Sequence, residues 1–160
     1  MGVPPERFKQ VLGSWASGVS IVTSSDGSRC QGMTVSAFSS VSLDPPLILV
    51  CADKSSETHA LIEETGVFSV SLLGSEQSGL SSLFADKRRE DTRFDDLECE
   101  PGVTGCPRIP GALASLDCRV EQAIDAGDHC VYIGAVEAGS LGAGEPLVHF
   151  RSRYHGLTPL

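Results

Sequence analysis

The sequence predicts a mainly β protein, an antiparallel barrel carrying a few short helices and not a doubly wound sheet. Three observations carry that expectation. Short runs rich in Val, Ile, Leu and Phe recur at residues 19–23, 33–41, 47–52, 67–73, 112–123, 129–138 and 146–150. Turn signals separate many of them, among them Asp26-Gly27, Asp44-Pro45-Pro46 and Asp125-Ala126-Gly127-Asp128. Helical periodicity is confined to three short stretches, too few to cover both faces of a parallel sheet.

The first helix follows Pro4-Pro5, with Phe8, Val11, Leu12 and Trp15 on its apolar side and Gly13 near its end. Phe8 and Trp15 are expected as core or dimer contacts. Val19, Ile21 and Thr23 then alternate with Ser20 and Val22 in a first strand. The next strand, 33–41, is crowded with hydroxyls: Thr34, Ser36, Ser39, Ser40 and Ser42 lie on or beside it. A proline pair, which cannot continue a ladder, connects it to strand 47–52. A helix over 57–64 carries Leu61 and Ile62 and is closed by Gly66. Strand 67–73 puts Phe68, Val70 and Leu72 on one face, and a helix over 76–85 carries Leu80, Leu83 and Phe84. Segment 86–110 is charged first, then rich in Gly, Pro and Cys, and is expected to be a long functional excursion. Strands 112–123, 129–138 and 146–150 complete the pattern, which contains no internal repeat.

A chain of 160 residues with 41% hydrophobic content is expected to form one domain over 1–160. Its formal net charge of -9 argues against nucleic acid or an anionic membrane surface as partner. No apolar run approaches the ~20 residues that span a bilayer, and MGVPPERFKQ has no apolar h-region, so the expected location is cytoplasmic. The six cysteines show no C-x-x-C pair and no metal-ligand spacing, so no metal is expected. Cys30, Cys51, Cys118 and Cys130 fall in or beside strands and are expected to be buried and inert; Cys99 and Cys106 lie in the polar excursion.

Chemistry is suggested where strand 47–52 ends in Asp53-Lys54-Ser55-Ser56 and a helix begins. A cation, two hydroxyls and a helix N-terminus make a seat for phosphate. A hydroxyl-lined strand beside it suggests a flat, polar-edged, phosphate-bearing cofactor. No nucleophile elbow or acid–base triad is apparent.

SWASGVSIVTS at 14–24, GMTVSAFSSVSLDPP at 32–46, CADKSS at 51–56, FSVSLL at 68–73, LFA at 83–85, RF at 93–94 and GDH at 127–129 occur in this order. Together the series resembles the flavin reductase-like family of the FMN-binding split-barrel fold. It is most similar to the small reductase components of two-component flavin-dependent monooxygenases. The resemblance implies a six-stranded antiparallel Greek-key split barrel with a few short helices, working as a homodimer. It implies reduction of FAD or FMN by hydride from NADH, with NADPH open, and delivery of reduced flavin to a partner monooxygenase. By the same likeness Thr34, Val35 and Ser36 lie along the isoalloxazine, with Ser40, Val41 and Ser42 nearby. Ala52, Asp53, Lys54 and Ser55 hold the phosphate end, Phe84 and Ala85 close the pocket, and His129 and Tyr154 face the nicotinamide, His129 as the catalytic residue.

Each residue also has a plainer reading. The strand hydroxyls alone read as outward polar residues, Lys54 as a solvated charge, and His129 as a turn histidine bonded to Asp128. Arg88, Arg89 and Arg93 either balance Glu90, Asp91, Asp95 and Asp96 or reach the cofactor's phosphates. The competing function is a non-enzymatic flavin carrier or sensor on the same barrel. A corrin reductase or a pyridoxamine-phosphate type of oxidase is a further split-barrel alternative, the latter calling for a more basic pocket.

Overall fold

A computed structural model describes residues 2–160. After helix α1 (Pro5–Leu12) come strands β1 (Ser17–Gly18), β2 (Ser20–Ser25), β3 (Cys30–Val35), β4 (Phe38–Leu43) and β5 (Pro46–Asp53). Helix α2 (Glu57–Thr65), strand β6 (Val67–Leu72) and helix α3 (Ser78–Ala85) follow. The excursion holds a 3-10 segment (Lys87–Thr92) and the small strands β7 (Glu100–Pro101) and β8 (Pro107–Arg108). The chain continues through β9 (Ala114–Ala126), β10 (His129–Leu141), β11 (Val148–Phe150) and β12 (Arg153–His155).

The main sheet has seven strands in the order β3-β2-β6-β9-β10-β5-β4, all neighbours antiparallel, where six were expected. The extra strand arises because the hydroxyl-rich run is two strands, broken at Ser36-Ala37. Its halves lie at opposite ends of the sheet order, yet only two residues join them. The sheet must therefore curl until its edges nearly meet, which is the split in the barrel. Bulges at Ile133/Gly134 and Val136/Ala138 bend the thirteen-residue strands β9 and β10 into that curve. A separate three-stranded sheet, β1-β11-β12, sits beside it.

Two cores follow from the alternation along β2. Val22 points into the cluster of Met33, Ile48, Val50, Phe68, Val70 and Tyr132 enclosed by the sheet. Val19, just before β2, and Ile21 join Leu73, Phe84, Ile109 and Leu147 on the outer side. Burial on both faces explains why β2 is buried at every position despite its serines. Its hydroxyls find carbonyl partners on neighbouring elements, Ser20 donating to the Val35 carbonyl at 2.7 Å and Thr23 to the Pro107 carbonyl at 2.6 Å. Gly134 is required where Phe68 crosses β10, since a Cβ there would lie 2.5 Å from the ring.

Of the two expectations for Phe8 and Trp15, core or dimer contact, exposure removes the first: Phe8, Val11 and Leu12 on α1 are more than half exposed, and Trp15, just beyond it, is 78% exposed. The thiols also redistribute, with Cys30 exposed and Cys106 fully buried, because β8 docks the end of the excursion under β2 and β6. All six cysteines are free. No helix among the described residues is long and apolar enough to cross a membrane.

Candidate flavin site

The β5–α2 turn builds the expected seat from local chemistry. Asp53 Oδ1 accepts hydrogen bonds from Ser55 N at 2.8 Å and Ser55 Oγ at 2.7 Å, folding the turn back on itself. Ser56 caps α2, its Oγ accepting from His59 N at 3.1 Å. The cation at this seat is one the sequence reading missed. Lys87, arriving from the 3-10 segment, donates to Asp53 Oδ2 and to Ser55 Oγ, each at 2.8 Å. Lys87, then the Ser55 hydroxyl and amide, hold the Asp53 carboxyl well below the usual carboxylate range.

Lys54, expected in that role, is turned away. Its Nζ bonds to the Asp125 carboxylate and, at 2.7 Å, to the Gly127 carbonyl. The physical reason is register: β10 pairs His129 with Asp53, which brings the β9–β10 turn against Lys54. The same pairing sets His129 next to the seat. Its Nδ1 lies 2.7 Å from Asp128 Oδ1, the contact of a turn histidine, and the imidazole remains 44% exposed. That neighbour lowers the Asp128 pKa.

The hydroxyl strand divides into two environments. Thr34 Oγ1 donates to the Ser81 carbonyl at 2.6 Å, and Ser81 Oγ stands 2.8 Å from the Tyr154 hydroxyl. Ser81 thus links two predicted residues, a link that no local pattern announces. Val35 is buried and Ser36 exposed, and both line a cavity of about 420 Å³ with Trp15, Val19, Phe38 and Leu147. On edge strand β4, a bulge at Val41 leaves Ser40 and Val41 open to solvent and Ser42 half-buried. Two predicted side chains are closed off. Ala52 is fully buried in the inner core, and Phe84 packs edge-on to Phe94 at 5.2 Å over Gly32. Strand alternation and the α3 packing point both side chains inward. Ala85, at the end of α3, is exposed.

The arginines separate as well. Arg93 is buried, donating to the Gly32 carbonyl at 2.6 Å and the Asp86 carbonyl at 2.9 Å. Arg88 pairs with Asp86 at 2.9 Å. No cluster of three His, Cys, Asp or Glu able to hold a metal occurs among the described residues.

These features suit a flavin. The cavity has the size of a small-molecule pocket and mainly apolar walls, fit for part of a flat ring. The edge-strand hydroxyls of β4 and the Lys87–Asp53–Ser55 cluster, which lie outside the cavity's lining, are the polar groups that could meet the rest of such a cofactor.

The comparisons agree with this geometry. Residues 12–158 match the family model described as flavin reductase like domain. The reductase subunit HsaB of a flavin-dependent monooxygenase from Rhodococcus jostii is 35% identical over 158 residues, covering 98% of this chain and 80% of the relative. An FMN reductase (NADH), SmoA, from Agrobacterium fabrum is 41% identical over 146 residues, covering 91% and 82%. The crystal structure of BorF, the flavin reductase component of a bacterial two-component tryptophan halogenase, superimposes with a TM-score of 0.91 at 35% identity, covering 98% of this chain and 100% of that one. The Streptomyces globisporus NADH:FAD oxidoreductase SgcE6 gives 0.91 at 32%, covering 99% and 98%. By fold and by sequence, the chain belongs to the flavin reductase like family.

Proposed function

We propose that this chain is an NADH-dependent flavin reductase that supplies reduced FAD or FMN to a partner monooxygenase. The observation that carries the reading is the coincidence of the family match over 12–158 with a ring-sized apolar cavity, an edge strand of hydroxyls and a cation-bearing turn. When bound, flavin supplies the hydride chemistry itself.

The residues bind and orient. Val35 and Ser36 line the ring's apolar seat, with Thr34 held in place by α3. Ser40, Val41 and Ser42 offer polar and backbone contacts along the edge strand. Ser55 and Lys87 meet the phosphate end. His129, at the strand end beside Asp53, positions the nicotinamide, and Tyr154, held against α3, limits the same side. No side-chain proton shuttle is required. The enzyme works in the cytoplasm as one domain over 1–160.

The reading includes a homodimer. An amphipathic α1 with Phe8, Val11 and Leu12 uncovered, followed by an exposed Trp15 that lines the apolar cavity, favours a second copy as the covering surface. Sedimentation should give twice the chain mass, and a monomer at micromolar concentration would remove this part of the reading.

Incubation with NADH and added FMN, FAD or riboflavin should show nicotinamide oxidation well above the protein-free rate, and His129→Ala should raise the KM for NADH. Flavin binding without oxidation of NADH or NADPH would instead support the carrier reading.

A further inference from the structure

The donors of the β5–α2 turn are largely committed inside the protein. Lys54 N donates to the Asp128 carbonyl, Ser55 N to Asp53 Oδ1 and Ser56 N to the Asp53 carbonyl. The next donor, Glu57 N at the first position of α2, gives its hydrogen to Glu90 Oε1 at 3.1 Å. Glu90 comes from the same 3-10 segment as Lys87. A helix N-terminus favours an anion, and here an internal carboxylate supplies it.

The surroundings of that carboxylate are those of an anion site. Arg93 Nη1 lies 3.7 Å from Glu90 Oε1. Arg93 is 2% exposed, and its Nε has no hydrogen-bond partner among the described residues. Thr58 Oγ1, in the first turn of the same helix, is likewise buried without a partner. A buried guanidinium with an idle donor thus lies beside Glu90 at the α2 tip, and a buried hydroxyl without a partner sits in the first turn of that helix. Of the internal acceptors, Glu90 alone is a side chain from another segment, so it can leave without unmaking the turn.

We propose that Glu90 is an affinity- and specificity-determining residue: its carboxylate stands in for the flavin phosphate at the α2 N-terminus and must be displaced when a phosphorylated flavin binds. This rests on the reading of Asp53–Ser56 as the phosphate seat. In the exchange the incoming phosphate takes over Glu57 N and the neighbourhood of Arg93, and the Glu90 carboxylate swings out to solvent. The internal competitor keeps phosphorylated flavin weakly held, as a flavin handed to another protein needs to be. Riboflavin, lacking phosphate, does not compete with Glu90.

The test is the dissociation constant for FMN, FAD and riboflavin, read by flavin fluorescence without NADH, in wild type, Glu90→Gln, Glu90→Asp and Ser55→Ala. Glu90→Gln keeps the shape and removes the charge; Glu90→Asp withdraws the carboxylate from Glu57 N and covers the case in which the glutamine variant does not fold. Either should tighten FMN relative to riboflavin by about threefold to tenfold. Ser55→Ala should weaken FMN relative to riboflavin. An unchanged or lowered FMN preference in the folded Glu90 variants, with Ser55→Ala behaving as expected, overturns the role of Glu90 alone. If Ser55→Ala also leaves the preference unmoved, the seat itself is misplaced and the inference falls with it.

Discussion

Asp117 and Asp53 carry similar partners and different consequences. Each carboxylate accepts from a backbone amide, a serine hydroxyl and a basic side chain. Asp117 takes Val103 N at 2.9 Å, Ser69 Oγ at 3.1 Å and both ends of the Arg108 guanidinium, one of them at 3.1 Å. Asp53 takes Ser55 N, Ser55 Oγ and Lys87 Nζ. Burial tells them apart: the Asp117 side chain is 0% exposed and that of Asp53 35%. Gly102 wraps Asp117 so closely that a Cβ there would lie 2.1 Å from Oδ1. Burial pushes the Asp117 pKa up, but Arg108, Val103 N and Ser69 outweigh it, and the net shift is downward. The buried cluster fastens residues 100–109 to the barrel, whereas the exposed one can trade partners with a ligand.

The comparison can be broken most directly at Asp117. Asp117→Asn should cost about 3 kcal/mol of unfolding free energy, because it strands a partly buried guanidinium among groups arranged for an anion. The pH dependence has a definite sign. Asp117 has its folded pKa depressed below the unfolded value of about 3.9, so its contribution is complete above that pH and is lost as pH falls through the folded value. The gap between wild type and Asp117→Asn in denaturant melts should therefore narrow in acid; parallel curves would contradict the cluster's role.

Lys87→Ala should act on binding instead. FMN affinity should fall by about fivefold relative to riboflavin, roughly 1 kcal/mol, while the thermal midpoint moves by no more than about 1 °C. The loss should shrink with added salt, since the site is open to solvent. A large stability loss with unchanged FMN preference would make this cluster structural, like the Asp117 one.

The smallest effect belongs to an ion pair with neither burial nor site. Arg88 is 89% exposed beside Asp86, and Arg88→Ala should change stability by less than about 0.5 kcal/mol and leave flavin binding alone. A larger effect on FMN would extend the seat along the 3-10 segment.

Much of the scaffold was legible without coordinates. Gly66, at a φ of 70°, and the apolar run of β6 are written in neighbouring residues, and α2 spans Glu57–Thr65 where 57–64 was expected. The turn holding Asp53 and Ser55 was legible for the same reason. What went unread is non-local. Lys87 reaches Asp53 across 34 residues, Thr34 meets Ser81 across 47, and Ser81 meets Tyr154 across 73. Lys54 looked like the seat's ammonium because it is adjacent in sequence, but the register of β10 against β5 assigns it to the hairpin.

By itself, then, the amino-acid order determined the β-rich class, the Gly66 cap of α2, the family and the turn built by Asp53 and Ser55. These depend on backbone preferences and side-chain periodicity within a few residues of one another. Only the folded chain decided which cation stands at that turn, that Glu90 fills the α2 tip, that Phe84 and Ala52 face inward and that α1 lies uncovered. Those outcomes depend on strand register and sheet curvature, which bring together groups far apart in the chain and leave no trace in local spacing.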